Sequence, residues 1–321
     1  MDLQKMLEKC RRDQWRVSDL DWTKTPRPMS KDDEEAIVQY FTDMAGIERL
    51  AGALFREQER RVQDETLKKI FRTFIVDEER HAVAAEKLSR FYDVHRLRDY
   101  RQSRSLERLF PAFLDAIHYL DDDVANAYVT AGELMLDIAL LRSINDYVAD
   151  ETSAQAMKLI NRDESRHIAI DYHMVEHYAS PEYLARLGGR EKPSARTRAK
   201  AWWAFANVVY YAKPFFRDVF FLPMERVDPN GTRLREAIRR FQLLGAKPGV
   251  AERPFGKFIL ALQAIFVHPI GGPLLGGLAS RLAGMEPRFM EQLNTDEELE
   301  RAKHTSYEQL ADDALSVKEA S

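Results

Sequence analysis

The sequence predicts an all-α protein in which four long helices are followed by additional helices. Apolar residues recur at helical spacing over long stretches of the 321 residues, whereas the alternating pattern of strands is hard to find. Most of the 13 prolines fall near the boundaries between these stretches. A composition of 45 % hydrophobic and 31 % charged residues is typical of a globular protein that buries a sizeable core.

Net charge and cysteine content narrow the classes of function. A formal net charge of −4 gives no general reason to expect a nucleic-acid partner. Cys10 is the single cysteine, so an internal disulfide framework is excluded and a reducing compartment is indicated. The first residues contain no apolar segment of the kind found in signal peptides, and we therefore expect a cytoplasmic protein.

Four helices are predicted between residues 31 and 182, after an N-terminal extension of residues 1–30. Ser30 can cap the first helix, which is acidic in its first turns and basic near its end, as the helix dipole favours. The Arg-rich segment 95–110 is predicted to be a solvated crossover to the third helix, which we expect to break at the sequence YLDDD. The four predicted ranges are 31–62, 64–92, 113–150 and 153–178.

Residues 183–321 are predicted to form additional helices that pack on the first four, in one structural domain overall. This region contains an aromatic-rich segment, 200–224, and a stretch of 23 residues without Asp, Glu, Lys or Arg, 258–280. The uncharged stretch is long enough to cross a bilayer, but its two prolines and four glycines favour two short helices joined by a turn. For both segments we expect packing within the core, with peripheral contact to a membrane as the alternative.

The clearest motif is Asp-Glu-x-Arg-His, which occurs twice, 86 residues apart. Residues three apart share a face of a helix, so Glu78 projects with His81, and Glu164 projects with His167. One copy of Glu-x-x-His is weak evidence, because charged helices often contain it by chance. Whether the two copies indicate a metal site therefore depends on the residues that the other two helices contribute.

Each of the other two helices contributes a glutamate that lies among small and apolar residues. Glu48 precedes Glu78 by 30 residues and Glu133 precedes Glu164 by 31, so the chain contains an internal repeat. Two lone glutamates and two Glu-x-x-His pairs are the ligand set of dinuclear carboxylate sites in helical bundles. Unpaired buried glutamates would each cost on the order of several kcal/mol, which metal ligation offsets. The sequence predicts a dinuclear metal site with the ligands Glu48, Glu78, His81, Glu133, Glu164 and His167.

With these six residues in this order, residues 31–180 resemble the ferritin-like superfamily of carboxylate-bridged di-iron proteins. The resemblance implies a four-helix bundle with a C-terminal helical extension, and a cofactor of two iron ions or a manganese–iron pair. It also implies that Asp77 and Asp163, with the nearby arginines, form the layer outside the ligands, where an aspartate accepts the far N–H of a ligand histidine. Which aspartate serves which histidine is not determined by the sequence.

The chain length and the form of the motif resemble the O2-activating branch of the superfamily most. That branch includes ligand-binding oxidases related to the ribonucleotide reductase small subunit, aryl-amine N-oxygenases and acyl-carrier-protein desaturases. Tyr128 stands five residues before Glu133, as a tyrosine does in the ligand-binding oxidases, and is a candidate catalytic residue with core packing as the alternative. The N-oxygenases add a histidine where this chain has Ile160, and desaturases usually place the first glutamate further from its Glu-x-x-His.

Two further acidic residues, Asp137 and Asp171, lie one turn from predicted ligands on the third and fourth helices. We interpret Asp137 as part of the layer outside the ligands and Asp171 as a candidate catalytic proton relay, with a solvated position as the alternative for each. Small residues lie on or near the Glu48 face of the first helix: Ala45, Ala51 and Gly52. They indicate either space beside the metals or close packing of helices.

These features predict an oxidoreductase that uses O2 to hydroxylate, desaturate or N-oxygenate a small organic or acyl substrate. No Gly-rich nucleotide-binding fingerprint is evident, so electrons are expected from a separate reductase or ferredoxin, and we expect a homodimer. An alternative is an iron-handling protein that acts as a ferroxidase, peroxidase or store. A zinc-protease motif, H-x-x-E-H at His173 to His177, is disfavoured because His173 lies about 240° around the helix from His167.

Overall fold

The computed structural model describes residues 1–189, 193–253 and 292–316, without the side chains of residues 127, 128, 137 and 138. Every regular element in these ranges is a helix, and they contain no β-strand. The all-α prediction is therefore confirmed for the described part of the chain. The uncharged stretch 258–280 lies outside it.

The helices are numbered α1 to α14 along the described ranges, and two segments, π1 and π2, have π-helical winding. The bounds are α1 Leu3–Arg12, α2 Lys31–Arg61, α3 Glu65–Tyr92, α4 Arg104–Ile117, α5 Asp122–Glu133, π1 Leu134–Leu141, α6 Arg142–Val148, α7 Glu151–Ala179, α8 Pro181–Gly188, α9 Ala195–Phe215, π2 Phe216–Phe221, α10 Leu222–Val227, α11 Thr232–Gly245, α12 Pro248–Ala251, α13 Asp296–His304 and α14 Tyr307–Ser316. The segments α5, π1 and α6 follow one another without a break, as do α9, π2 and α10.

Polar side chains set the beginnings of three helices that carry predicted ligands. Ser30 caps α2, Asp64 caps α3 and Asp150 caps α7, each by accepting hydrogen bonds from backbone N–H groups of the first turn. The first turn of α2 is acidic and its last turn is basic, which complements the helix dipole. The predicted cap at Ser30 is confirmed.

Helices α2 and α3 form the most extensive helix pair of the described chain, and α5 packs against α7. Contacts of α3 with α7 and of α2 with α5 join the two pairs. The fully buried rings of Phe55, Phe71 and Phe74 lie between α2 and α3, with centroids 5.2 to 6.1 Å apart. The four helices that carry the predicted ligands are thus connected by direct contacts, and α1 packs across α3 and α7.

The predicted third helix is divided differently from the expectation. Helix α4 begins at Arg104, inside the segment expected to be a crossover, because Leu106, Leu109 and Phe113 form a buried face at helical spacing. The chain then breaks at YLDDD as predicted, and α5 starts at Asp122. Directly after Glu133 the helix adopts π-helical winding, which is rare and is frequent at functional sites.

One apolar helix passes a simple length and composition test for a membrane span. Within the described residues this is Asp122–Val148, and 71 % of its most apolar window is buried inside the protein. Buried core helices satisfy the same test, and this helix carries the predicted ligand Glu133.

The aromatic-rich segment 200–224 is only partly in the core. Phe215 and Phe220 are buried, whereas Trp202, Trp203 and Tyr210 are exposed. The expectation of core packing is wrong for these three residues, because they lie on the side of α9 opposite its buried residues Ala204 and Val208.

Candidate metal centre

The six predicted ligand residues lie together in the protein interior, and each is at most 4 % exposed. Their ligand atoms form two overlapping groups, within each of which all atoms lie no more than 4.8 Å apart. The first group is Glu48, Glu78, His81 and Glu164, and the second is Glu78, Glu133, Glu164 and His167. Glu78 and Glu164 belong to both groups, so they connect the two. A cluster of this kind could hold a metal ion.

Both histidines direct the same ring nitrogen, Nδ1, toward the glutamates. His81 Nδ1 lies 3.0 Å from Glu164 Oε1. His167 Nδ1 lies 3.0 Å from Glu164 Oε2 and 3.1 Å from Glu78 Oε1. Glu164 therefore contacts both histidines, one with each carboxylate oxygen.

The outer nitrogens of the histidines face aspartates of the opposite motif copy. His81 Nε2 lies 3.1 Å from Asp163 Oδ2, within hydrogen-bond distance. His167 Nε2 lies 3.6 Å from Asp77 Oδ2, slightly beyond that distance. An aspartate at Nε2 favours the tautomer with the proton on Nε2, which leaves Nδ1 available as a metal ligand. The pairing is thus crosswise between α3 and α7, which the sequence did not determine.

Two arginines offset the charge of these aspartates. Arg166, with no exposed surface, donates to Asp163 Oδ1 at 2.5 Å and to Asp77 Oδ2 at 3.3 Å. Arg80 donates to Asp77 Oδ1 at 2.6 Å and to Asp163 Oδ2 at 3.2 Å. Each arginine bonds both aspartates, so the four side chains form a closed and charge-balanced network outside the histidines.

The N-terminal extension closes this network, a role that sequence reasoning missed. Trp15 Nε1 donates to Asp163 Oδ2 at 2.7 Å, and Gln14 Nε2 donates to Asp77 Oδ1 at 3.2 Å. The Trp15 ring is nearly buried and lies under the Arg80 guanidinium, with Arg80 Cζ 5.3 Å from the centroid of the ring. Both residues lie in a polar stretch without helical periodicity, so no sequence pattern pointed to them.

Aromatic rings and close helix packing exclude water from the centre. The ring of His167 lies 4.1 Å from that of Phe74 and 5.1 Å from that of Phe55, centroid to centroid. At Gly52, an added Cβ would lie 3.3 Å from Glu78 Cβ. This approach of α2 to α3 favours close packing, and not open space, as the reason for a small residue at position 52.

Burial makes it costly for all four glutamates to be charged together. Burial raises the pKa of Glu48 to about 7. Burial, followed by the negative charge of Glu164, raises the pKa values of Glu78 and Glu133 well above the usual range. Without a cation, these carboxyl groups therefore tend to hold protons at neutral pH.

The pKa values of Glu164 and of the two histidines favour the charged forms of these groups, in contrast to those of the other three glutamates. Burial alone would raise the pKa of Glu164, but the charge of His167 and hydrogen bonds from its neighbours hold that pKa well below the usual range. Burial likewise opposes the charged form of His81, but Asp163 and Glu164 raise its pKa to about 10. For His167, Glu164 and Asp77 outweigh burial and raise the pKa to about 9. In the metal-free protein, protons on the histidines thus balance part of the negative charge.

The unsatisfied oxygens of the cluster fit a metal cation. Among the described residues, no hydrogen bond with suitable angles reaches either oxygen of Glu48 or Glu78, or Oε2 of Glu133, although His167 Nδ1 lies 3.1 Å from Glu78 Oε1. His81 Nδ1 also makes no hydrogen bond with suitable angles, although it lies 3.0 Å from Glu164 Oε1. Buried polar atoms are normally paired, and each unpaired one costs about 1–3 kcal/mol. Carboxylate oxygens and an imidazole nitrogen converging in this way are the donors that divalent metals take in proteins.

The remaining predicted site residues are only partly placed. Asp171 has no exposed surface and its carboxyl oxygens accept no hydrogen bond from the described residues, so the solvated alternative is wrong for it. Burial raises the pKa of Asp171 well above its usual range, and a role as proton relay stays a prediction. The side chains of Tyr128 and Asp137 lie outside the described residues.

The competing H-x-x-E-H motif does not assemble a site among the described residues. Glu176 and His177 are exposed on α7, and the His177 ring packs against Tyr183, with centroids 5.6 Å apart. Neither residue belongs to a group of close ligand atoms. The structure therefore gives the zinc-protease reading no support.

The crosswise pairing gives a testable expectation for Asp163. The Asp163→Asn substitution should lower metal affinity about 10- to 100-fold, because an amide orients His81 less strongly and weakens its basicity. The Asp77→Asn substitution should have a smaller effect, since Asp77 lies farther from His167. Anaerobic calorimetric titration with Fe(II) measures both, with Asp99→Asn, at an exposed residue, as the control. Equal affinity in all three variants would contradict this role of the aspartates.

No model of a known protein family matches this chain, and no curated protein matches it in sequence. Evidence for the function of this chain therefore comes from the geometry and chemistry of the buried cluster.

Proposed function

We propose that this protein is a di-iron oxidoreductase of the ferritin-like type, which uses O2 to oxidise a small organic or acyl substrate. The observation that carries the proposal is the pair of buried ligand groups that share Glu78 and Glu164. Each group contains one histidine and three glutamates, as expected for a dinuclear carboxylate site. We further infer that α2, α3, α5 and α7 form the ligand-bearing four-helix bundle.

Charge balance supports two divalent ions. Asp77 and Asp163 are offset by Arg80 and Arg166, which bond them directly. The four buried glutamates then remain, and their combined charge equals that of two divalent cations. A single divalent ion would leave two buried carboxylates dependent on protons.

The donor types support iron, or manganese with iron, over other metals. Carboxylate oxygens suit manganese and other hard cations, and imidazole suits iron among others. The only thiol, Cys10, belongs to neither group, so the thiolate ligands favoured by structural zinc are lacking.

The proposed chemistry requires the metals and a set of protein functions around them. Reduced iron, when bound, would supply electrons and open coordination positions for O2. The glutamates and the Nδ1 atoms of His81 and His167 would hold it, and the aromatic rings beside His167 keep water away. Burial favours the neutral form of Asp171, one turn from His167, so its carboxyl would hold a proton close to the site.

The overall reaction also requires an outside source of electrons. Hydroxylation of a C–H or N–H bond consumes one O2, two electrons and two protons, and yields the hydroxylated product and one water. We propose a separate reductase or ferredoxin as the electron donor.

Metal analysis after anaerobic Fe(II) loading, followed by O2 addition under optical spectroscopy, tests the proposal. We expect two iron ions per chain and their oxidation by a stoichiometric amount of O2. Fewer than two metals, with Glu133→Ala and Glu164→Ala binding as wild type, would refute the site. Binding without oxidation would indicate a structural metal, and continued iron oxidation in a large assembly would indicate an iron-handling protein.

A further inference from the structure

Helix α9 presents an exposed row of large apolar side chains. Trp202, Trp203 and Tyr210 are 72 %, 71 % and 74 % exposed, and Val209 is 48 % exposed. At 100° per residue these four and Ala206 lie within an arc of about 120°. We call this surface the aromatic face: Trp202, Trp203, Ala206, Val209 and Tyr210.

The opposite side of α9 anchors it to the protein. Ala204, Val208 and Phe215 are buried, and α9 makes its main contact with α4. The helix is therefore held on one side while its aromatic face points outward. Contiguous exposed apolar surface of this kind marks interaction sites in folded proteins.

The charged side chains of α9 itself have one sign. Arg196, Arg198, Lys200 and Lys213 are exposed on α9, and no Asp or Glu occurs between residues 193 and 217. By helical position Arg198 and Lys213 fall within or at the edge of the arc of the aromatic face. A partner that fits this surface combines an apolar layer with negative charge.

We infer that α9 docks through its aromatic face on the surface of a bilayer that contains anionic phospholipids. Tryptophan and tyrosine favour the headgroup level of membranes, where their rings are buried and their polar atoms remain hydrated. A helix with basic residues beside an apolar face lies in the plane of that interface. Each basic residue near an anionic membrane contributes about 1 kcal/mol of attraction, or about fivefold in affinity.

The same charges disfavour a second copy of this chain as the occupant. Two α9 helices packed antiparallel through the middle of the aromatic face would bring Arg198 of one copy near Lys213 of the other. Like charges placed together at an interface suppress such pairing. An anionic lipid surface meets the same residues with opposite charge.

Vesicle flotation of the full chain tests the inference, with phosphatidylcholine vesicles compared with vesicles that also contain phosphatidylglycerol. We expect binding to the anionic vesicles, weakened by salt, and a blue shift of tryptophan fluorescence. The Trp202→Ala, Trp203→Ala double variant should bind on the order of tenfold more weakly. The Arg196→Glu, Arg198→Glu double variant should lose about fivefold or more per residue.

Controls separate this surface from folding and from the metal centre. Val94→Ala and Lys5→Glu alter exposed residues away from α9 and should bind vesicles as wild type does. All variants should keep the wild-type metal content and melting temperature. Wild-type protein that ignores anionic vesicles, or α9 variants that bind them equally well, would overturn the inference. A dimer that the tryptophan variant dissociates, without vesicle binding, would show that the occupant is a second copy.

Discussion

The Glu78→Gln substitution is expected to remove metal binding without lowering the free energy of unfolding of the metal-free protein. Glu78 belongs to both ligand groups, so its loss takes one donor from each. Burial raises the pKa of Glu78 well above the usual range, which favours the neutral carboxyl in the metal-free protein. Glutamine has the same shape and no charge. It should therefore leave the free energy of unfolding of the metal-free protein close to that of the wild type.

Urea unfolding with and without metal, together with metal analysis, measures both parts of this expectation. At free metal a thousandfold above Kd, a single site adds about 4 kcal/mol to wild-type stability, and the variant should gain far less. Glu79→Gln is the matched control, since it makes the same change at the next residue, whose side chain is 60 % exposed. A variant that keeps two metals would contradict the assigned ligand set. A metal-free variant that loses several kcal/mol would instead indicate that Glu78 is part of a structural hydrogen-bond network.

The positions of the predicted ligands follow from local rules that a sequence contains. Glu78 and His81 share a face because a helix places residues three apart side by side, and the same holds for Glu164 and His167. Lone glutamates such as Glu48 stand out because apolar neighbours imply burial. The structure brings all six residues together, and the cap at Ser30 and the break at YLDDD also match their local signals.

What the sequence did not predict depends on packing between distant segments. The contact between Asp163 and His81 depends on how α3 and α7 are aligned along their axes, and side-chain packing determines that alignment. Trp15 reaches Asp163 across 148 positions of sequence, and no local pattern specifies such a contact.

The exposed tryptophans show a related limit of sequence interpretation. Aromatic content alone predicted burial of the segment that contains α9. Helical spacing places Trp202 on one side of α9 and Ala204 and Val208 on the other, but it does not determine which of the two sides is buried.

Loss of Arg166, which lies outside the ligand set, is expected to destabilise the fold strongly. It has no exposed surface and bonds both Asp163 and Asp77, so the Arg166→Met substitution leaves two buried carboxylates with less compensation. Removing one partner of a buried ion pair costs about 3–5 kcal/mol, and the lower end applies because Arg80 remains. Arg162→Met, one turn earlier at a side chain that is 39 % exposed, should cost much less.

The pH dependence separates lost charge compensation from lost packing in the Arg166→Met variant. Burial opposes the charged form of Asp77 in the wild type, but His167, His81 and Arg80 outweigh it and lower the pKa to about 2. The pKa of Asp163 is also lowered. Groups with a depressed folded pKa stabilise the protein above their unfolded pKa, about 4 for Asp, and lose that contribution as pH falls toward the folded value. The difference in free energy of unfolding between the wild type and Arg166→Met should therefore be largest above about pH 5 and decrease toward pH 2. Adding Asp163→Asn to Arg166→Met should recover part of the loss at pH 7, because the buried charge is removed as well. A difference that stays constant with pH, with no recovery in the double variant, would mean that Arg166 acts through packing alone.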